Sequence, residues 1–488
     1  MSISSDVINC FLSYINNKKT LLNATSLNKK YYENRFANNI INKIRIIVKN
    51  LQKMPNSKRY TNIVLYVHMK YYTSENIYVL IKHFEYVKKL SLYIINSSLS
   101  TDINLSMFDR IENVRITEIM MNEYMHDLSQ KTFQLSLPKN TKTFEGFFTS
   151  YIPDFVNLPN TLKKISISCH TDTHMYLSNI PDSVLHLSVV NVNVDIFPKN
   201  TKRLKICGSE MQHNMHYMNN LQLLCQLSQQ NHSEQWKLNT ELLPTCMEIL
   251  LNVHFTNVVD LGSFNNLTVL VLAQNFNNDI TNYPPNLKIL KYGSSYKKQI
   301  QNLPDSITEL YIPASYNKKI DRYPNDLEIL HFFNNSHHEQ NDECDFTIDN
   351  LPNKLIEIKY PYSYNHPINN LPDTVKYLTF DDNSYYNKNI TLSKDMEYVR
   401  FGNNFNSAIT LNNKLQYLLF NKKSLYNIRI KDIDNIKYAI MGDLYNYMYG
   451  HRNICKIYNI EYKGHMINKK MHDIMEKYFI CLKQSDFI

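Results

Sequence analysis

The sequence predicts a repeat solenoid in which each unit contributes one short strand to a parallel β-sheet. A proline-led phrase, Pro-x-x-Leu-x-x-Leu, or its proline-free variant occurs seven times between residues 284 and 440, mostly near 20 residues apart. The strand part of each copy alternates apolar and polar residues, which is the pattern of a half-buried strand. A fixed period of this length is typical of solenoids, in which each unit buries its apolar edge only against its neighbours.

Length and composition fit this fold. The 488 residues exceed the usual limit for one compact core, so several domains or one elongated solenoid are expected. With 43% apolar and 20% charged residues, the chain does not have the composition of a disordered protein. The net charge of +9 is spread along the chain without an arginine-rich block, which argues against nucleic-acid binding.

The first fifty residues predict a small all-α domain, residues 1–50. Val7, Phe11 and Ile15 recur at four-residue spacing after the capping residues Ser4 and Ser5. A second apolar set follows at residues 21–27, and a third helix is expected from residue 32 towards residue 51.

The remaining chain is divided according to how closely each part matches the repeat phrase. Residues 51–136 carry it in degenerate form, and residues 137–208 carry sharp copies. Residues 209–241 place Met218, Leu221, Leu224, Cys225 and Leu227 at helical spacing, which predicts a helical insertion. Repeats resume at residues 242–440, and residues 441–488 are expected to cap the solenoid with a helix at 465–482.

Within a unit, the positions three, six and eight residues after the proline position are apolar and are expected to form the core. Between strands an aromatic-Asn-x-x-Ile element recurs, and its aromatic residue is expected on the outer wall. The asparagines of this element are expected to form a stacked ladder and to tolerate left-handed backbone geometry. The copies begin at Phe276, Tyr316, Tyr364, Tyr386 and Phe405.

Together these two elements resemble the FNIP repeat, a leucine-rich-repeat relative of social amoebae and of giant viruses that infect amoebae. The resemblance covers at least residues 137–440. It implies a leucine-rich-repeat-like solenoid that binds other proteins.

Residues 6–31 resemble an F-box, and an F-box followed by FNIP repeats is a known family arrangement. The sequence departs from the F-box pattern at Ile3-Ser4, where Leu-Pro is usual, and at Tyr31, where Trp or Phe is usual. The resemblance implies the substrate-recognition subunit of an SCF-type ubiquitin ligase. The F-box would bind a Skp1-type adaptor of a cullin ligase, and the repeats would bind the target protein. The expected adaptor-binding residues are Val7, Ile8, Phe11, Leu12, Ile15, Leu21 and Leu27. Alternatively, the helices only cap the solenoid, and the protein is a binding scaffold without a ligase link.

The target-binding surface is expected on the open face of the sheet, because positions +5 and +7 after the proline point away from the core. Position +5 is a tyrosine in three successive repeats, at Tyr377, Tyr398 and Tyr417. Together with Arg400 they have the composition of an interface centre. Stacking that merely stabilises neighbouring strands is the other explanation. The expected residues are Glu309, Tyr311, His331, Glu357, Lys359, Tyr377, Tyr398, Arg400 and Tyr417.

Other functional classes find little support in the sequence. The eight cysteines match neither a zinc site nor a disulfide framework, and His337, His338 and Glu339 fit a solvated loop better than a metal site. No catalytic motif or glycine-rich phosphate loop is present, so neither an enzyme nor a cofactor is expected. Without a leader or a membrane-length apolar run, the protein is expected in the cytoplasm or nucleus, or in the host-cell cytoplasm if it is viral.

Overall fold

The protein is described by a computed structural model that covers residues 44–47, 62–68, 88–95, 102–119, 131–149, 151–169, 175–207, 215–226, 238–333, 346–420, 423–431, 436, 438–442, 444 and 448. The chain divides into two compact units, Met1–Leu327 (unit 1) and Glu328–Ile488 (unit 2). Within the described residues, helix is restricted to the 3-10 turn Thr240–Leu242 and to Leu444 and Met448.

The described part of unit 1 is built from short strands. In chain order they are β1 (Ile44–Ile47), β2 (Asn62–His68), β3 (Lys89–Ile95), β4 (Ile103–Asn104), β5 (Asn113–Ile119), β6 (Lys131–Ser136), β7 (Thr143–Phe148), β8 (Tyr151–Asn157), β9 (Lys164–Cys169), β10 (Met175–Leu177), β11 (His186–Val190), β12 (Val192–Val194), β13 (Arg203–Cys207), β14 (Leu223–Gln226), β15 (Ile249–Val253), β16 (Val259–Asp260), β17 (Val269–Leu272), β18 (Ile280–Asn282), β19 (Ile289–Lys291) and β20 (Glu309–Pro313).

Most of these strands form one parallel sheet, in which the strand of each repeat pairs with the strand of the next repeat. The order is β1-β2-β3-β5-β7-β9-β11-β13-β14-β15-β17-β19-β20. The other strands form small parallel ladders, namely β4-β6-β8, β10-β12 and β16-β18. The prediction of one short strand per unit in a parallel sheet is therefore confirmed.

The core of unit 1 follows the period-two pattern of its strands. In β11, Leu187 and Val189 are buried, whereas His186, Ser188 and Val190 are half-buried. Burying a side chain the size of leucine stabilises the fold by about 1.5–3 kcal/mol. A ladder of such residues therefore stabilises each repeat by packing it against the neighbouring repeats. One inward position holds Gly146, and the ring of Phe148 lies where its Cβ would point.

Residues 209–241 are not a simple helical insertion, because Leu223–Gln226 form β14 between β13 and β15. The predicted helix is wrong at Leu224 and Cys225. All four residues of β14 are buried, so both faces of the strand are apolar or shielded. A strand buried on both faces is a continuous apolar run, which satisfies helical and strand spacing equally well.

Two further predictions can be compared with the N-terminal strands. Residues 44–47 form β1 paired with β2, so the predicted third helix is wrong at these residues. In the degenerate region, β2, β3 and β5 pair in continuous register, so their weak phrase still specifies strands. The helices predicted before residue 44 and at 465–482 lie outside the described residues.

Unit 2 repeats the same plan. Its described strands are β21 (Ile329–Phe333), β22 (Glu357–Lys359), β23 (Tyr377–Thr379), β24 (Ile390–Thr391), β25 (Tyr398–Phe401), β26 (Ile409–Thr410), β27 (Tyr417–Phe420) and β28 (Tyr438–Ile440). A parallel sheet runs in the order β21-β22-β23-β25-β27-β28, and β24 pairs with β26.

The core of unit 2 is aromatic, and this corrects the predicted position of the aromatic-Asn element. Its rings are buried in the core, not exposed on an outer wall. Tyr386 and Phe405 stack with their centroids 5.8 Å apart, and the inward strand residues Phe380 and Phe401 stack at 5.7 Å. The two ladders also touch each other, as where Phe401 and Phe405 lie 4.0 Å apart. The ladders are Tyr364, Tyr386, Phe405 and Tyr426, and Tyr360, Phe380, Phe401 and Phe420.

The asparagine ladder is present. The side-chain oxygen of Asn365 accepts a hydrogen bond from the backbone N–H of Asn387 at 2.9 Å, and Asn387 does the same for Asn406 at 2.7 Å. Left-handed backbone occurs at other positions, such as Asn302 and Asn350, two residues before a proline. The element therefore uses asparagine for its oxygen and not for its conformational tolerance.

Candidate interaction surface

The open face of the unit 2 sheet carries the polar residues that the sequence analysis selected. Alternation in β22 and β23 buries Ile358 and Leu378 and leaves the flanking residues half-buried on the other face. We call this surface the tyrosine face. It comprises His331, Glu357, Lys359, Tyr377, Thr379, Tyr398, Arg400 and Tyr417.

A row of three tyrosines forms the centre of the tyrosine face. Strand register places Tyr377 opposite Tyr398 and Tyr398 opposite Tyr417. The ring centroids are 6.4 Å and 6.1 Å apart, and both pairs are tilted by about 40°. Tyr398 lies between the other two rings and is 4% exposed, so the expectation that it contributes to an exposed surface is wrong. Burial first, and the nearby Glu397 carboxylate second, raise the pKa of Tyr377, which keeps its hydroxyl neutral.

Hydrogen bonds and ion pairs hold the polar side chains of the tyrosine face. Nε2 of His331 lies 3.0 Å from Oε1 of Glu357, and the Lys359 ammonium lies 2.5 Å from the Asp381 carboxylate. The Arg400 guanidinium donates to Asp382 at 2.6 Å. These pairs fix long side chains in place and leave the face without a strong excess of either charge. The face is therefore suited to a polar, aromatic contact and less suited to a strongly charged ligand.

Asp381 and Asp382 were missed by the sequence analysis. They lie one and two residues after the core position Phe380, which itself follows β23, so they fall outside the five-residue alternating pattern. Two carboxylates at the end of a strand, beside strands that carry Lys359 and Arg400, were the available signal.

Two predicted surface residues belong to unit 1 and are buried there. Glu309 is 1% exposed and Tyr311 is 7% exposed, so the expectation that they face solvent is wrong. Glu309 lies opposite Ile289 on the neighbouring strand, and its carboxylate accepts a hydrogen bond from the Tyr311 hydroxyl at 3.1 Å. In β20 all five residues are buried, which the alternation rule does not foresee.

The predicted adaptor-binding residues Val7, Ile8, Phe11, Leu12, Ile15, Leu21 and Leu27 lie outside the described residues. The same holds for His337, His338 and Glu339. Among the residues that the structure describes, no cluster of three or more His, Cys, Asp or Glu side chains could hold a metal ion. No helix in the described part of the chain is long and apolar enough to cross a membrane.

Similarity to known proteins is limited to solved structures. No protein-family model matches the sequence, and no curated protein matches it. Among solved structures, the chain is similar to CroV588, described as a novel circular LRR protein, with 16% identity and a TM-score of 0.46. That match covers 70% of this chain and 60% of CroV588. The chain is also similar to YopM from Yersinia enterocolitica WA-314, with 13% identity, a TM-score of 0.33 and coverage of 75% and 84%. The resemblance to FNIP repeats and to an F-box therefore rests on the quoted residues alone.

Proposed function

We propose that the protein is a binding receptor whose tyrosine face contacts a target protein. The half-buried Tyr377 and Tyr417, on either side of the buried Tyr398, carry the proposal together with Arg400. Tyrosine and arginine are the residue types that most often dominate interface energies, because each combines a large contact area with hydrogen-bonding groups. The rings are already ordered by their strands, so little side-chain freedom is lost on binding.

We further propose that the receptor serves an SCF-type ubiquitin ligase. In this proposal residues 6–31 dock a Skp1-type adaptor of a cullin complex, and the solenoid presents the bound target. The support is the F-box resemblance and its pairing with the repeat phrase. The competing proposal is a scaffold that binds proteins through the same face and has no ligase link.

The receptor proposal is tested by replacing the two half-buried tyrosines together, as Tyr377→Ala with Tyr417→Ala. Proteins captured by the full chain would be quantified by mass spectrometry. A true target should be depleted about tenfold or more, as expected when interface anchors are removed. Tyr176→Ala is the matched control, because Tyr176 lies in unit 1 and is 66% exposed. If every captured protein is retained equally by both variants, the tyrosine face is not the binding surface.

The ligase proposal needs a separate experiment. Purified Skp1-type adaptor should bind the full chain. The Leu12→Asp and Ile15→Asp substitutions should abolish this binding, while circular dichroism shows that the repeats remain folded. A full chain that captures targets but ignores the adaptor would support the scaffold.

A further inference from the structure

Three basic residues lie directly opposite one another on the open face of unit 1. His186 pairs in register with Lys164 of β9 on one side and with Arg203 of β13 on the other. Parallel strands are spaced about 4.8 Å apart, so the row covers about 10 Å. Along each strand the residue that follows the row is buried, as Leu187 and Leu204 are, so the basic side chains point away from the core.

Polar residues continue this surface two positions further along each strand. Ser166, Ser188 and Lys205 share the face of the basic row, and Ser188 lies opposite both of the others. The Lys164 ammonium is 3.0 Å from Glu145, so one carboxylate borders the surface at the β7 side. We call the six residues Lys164, Ser166, His186, Ser188, Arg203 and Lys205 the basic face.

Lys164 and Arg203 lie opposite His186 on the two adjacent strands, so both repel a positive charge on its imidazole in the free protein. Burial first, and then the charges of Arg203, Lys164 and Lys202, lower the pKa of this imidazole. An anion on the basic face would offset the repulsion.

We propose that the basic face binds an extended acidic segment of a partner protein. Its carboxylates would pair with His186, Arg203 and Lys205, and the two serine hydroxyls would donate hydrogen bonds. A peptide fits better than a nucleic acid for two reasons. The positive charge is confined to a short stretch with Glu145 at its edge, whereas a nucleic acid needs a longer basic track. None of the six residues is Phe, Tyr or Trp, so the large rings on which bases usually stack are missing here. The inference concerns unit 1 and does not depend on the proposal for unit 2.

The test measures fluorescence anisotropy of a labelled peptide of alternating Glu and Ser with the full chain, beside the same peptide with Gln in place of Glu. The acidic peptide should bind and the Gln peptide should not. Arg203→Glu with Lys205→Glu should weaken binding about tenfold, because two attractive charges become repulsive. Lys318→Glu with Lys319→Glu applies the same charge change to exposed residues of unit 1 outside the basic face and should change affinity less than about twofold. If the double variant does not fold, Lys205→Glu alone replaces it in the binding measurement, and circular dichroism checks that this single variant is folded.

The pH dependence supplies a readout that a structural role would not give. An acidic ligand raises the pKa of His186, so the complex takes up a proton and affinity should rise from about pH 8 to about pH 6. His186→Gln should remove this dependence and leave binding at the higher pH nearly unchanged. Equal binding of the Gln peptide, tighter binding of an oligonucleotide, or insensitivity to Lys205→Glu would each overturn the proposal.

Discussion

The turns between residues 88 and 207 in unit 1 and those between residues 346 and 426 in unit 2 share one backbone plan but differ in their side chains. The inward ladder of the first region is mainly aliphatic, with pairs such as Ile165 and Ile167. The second region keeps aliphatic residues such as Ile358 and Leu378 at the first inward position of each strand. It places rings at the second inward position and adds a further ring from the aromatic-Asn element. A repeat phrase therefore specifies where apolar side chains lie without specifying how they pack.

The open faces differ in a parallel way. Unit 1 presents a row of three basic residues with the Glu145 carboxylate at one edge, whereas His331, Lys359 and Arg400 of the tyrosine face each lie against a carboxylate of their own. Positions that the core does not constrain are free to differ between units. The contrast indicates that the two faces are suited to different ligands.

The largest expected difference between the two regions is in core packing. Phe401→Leu removes ring contacts with Phe380, Phe405 and Phe420 and should lower the free energy of unfolding by about 2–3 kcal/mol. Ile167→Val removes one methylene group from the aliphatic ladder and should cost about 1 kcal/mol. Urea denaturation measures both, and hydrogen exchange shows which region is loosened. Equal costs would mean that ring stacking adds nothing beyond burial.

Alkaline pH should give the next largest effect, through the buried thiols of unit 1. Burial raises the pKa of Cys207 to about 11 and of Cys225 to about 12. The folded thiol keeps its proton above pH 9 while the unfolded one ionises, so stability is full below about pH 9 and falls as pH rises further. For Cys225 the loss at about pH 10 should be about 1 kcal/mol.

Cys225→Ala tests this thiol directly. The variant should lose less stability between about pH 7 and about pH 10 than the unaltered chain, when urea midpoints are compared. An unchanged pH dependence would show that the thiol does not contribute to it.

The asparagine ladder gives the smallest effect. In unit 2, Asn387 accepts hydrogen bonds from the Asn406 backbone and the Ser407 hydroxyl, so Asn387→Ala should cost about 1 kcal/mol. In unit 1, Asn277 accepts one such bond, from Lys297, and Asn277→Ala should cost about 0.5 kcal/mol. Thermal unfolding of both variants provides the measurement. A larger loss for Asn277→Ala would show that consecutive rungs do not reinforce one another.

Much of the tyrosine face was predictable, and the reason is local. Alternation within one strand decides which side chains share a face, and the repeat offset aligns equal positions across strands, so Tyr377, Tyr398 and Tyr417 could be grouped from sequence. Their neighbours could not. The Lys359–Asp381 and Arg400–Asp382 pairs depend on how the chain turns after each strand, which the strand pattern does not contain.

By itself, the sequence determined the repeat period, the strand in each unit and the apolar positions of the core, because these follow from periodicities of a few residues. Tertiary structure alone decided which distant residues meet and which outward side chains become buried. Lys164, His186 and Arg203 are separated by 22 and 17 residues, and unequal unit lengths hide their alignment until the strands pair. Likewise the burial of Glu309 and of the aromatic-Asn rings depends on the side chains of neighbouring repeats. No single copy of the repeat phrase specifies those contacts.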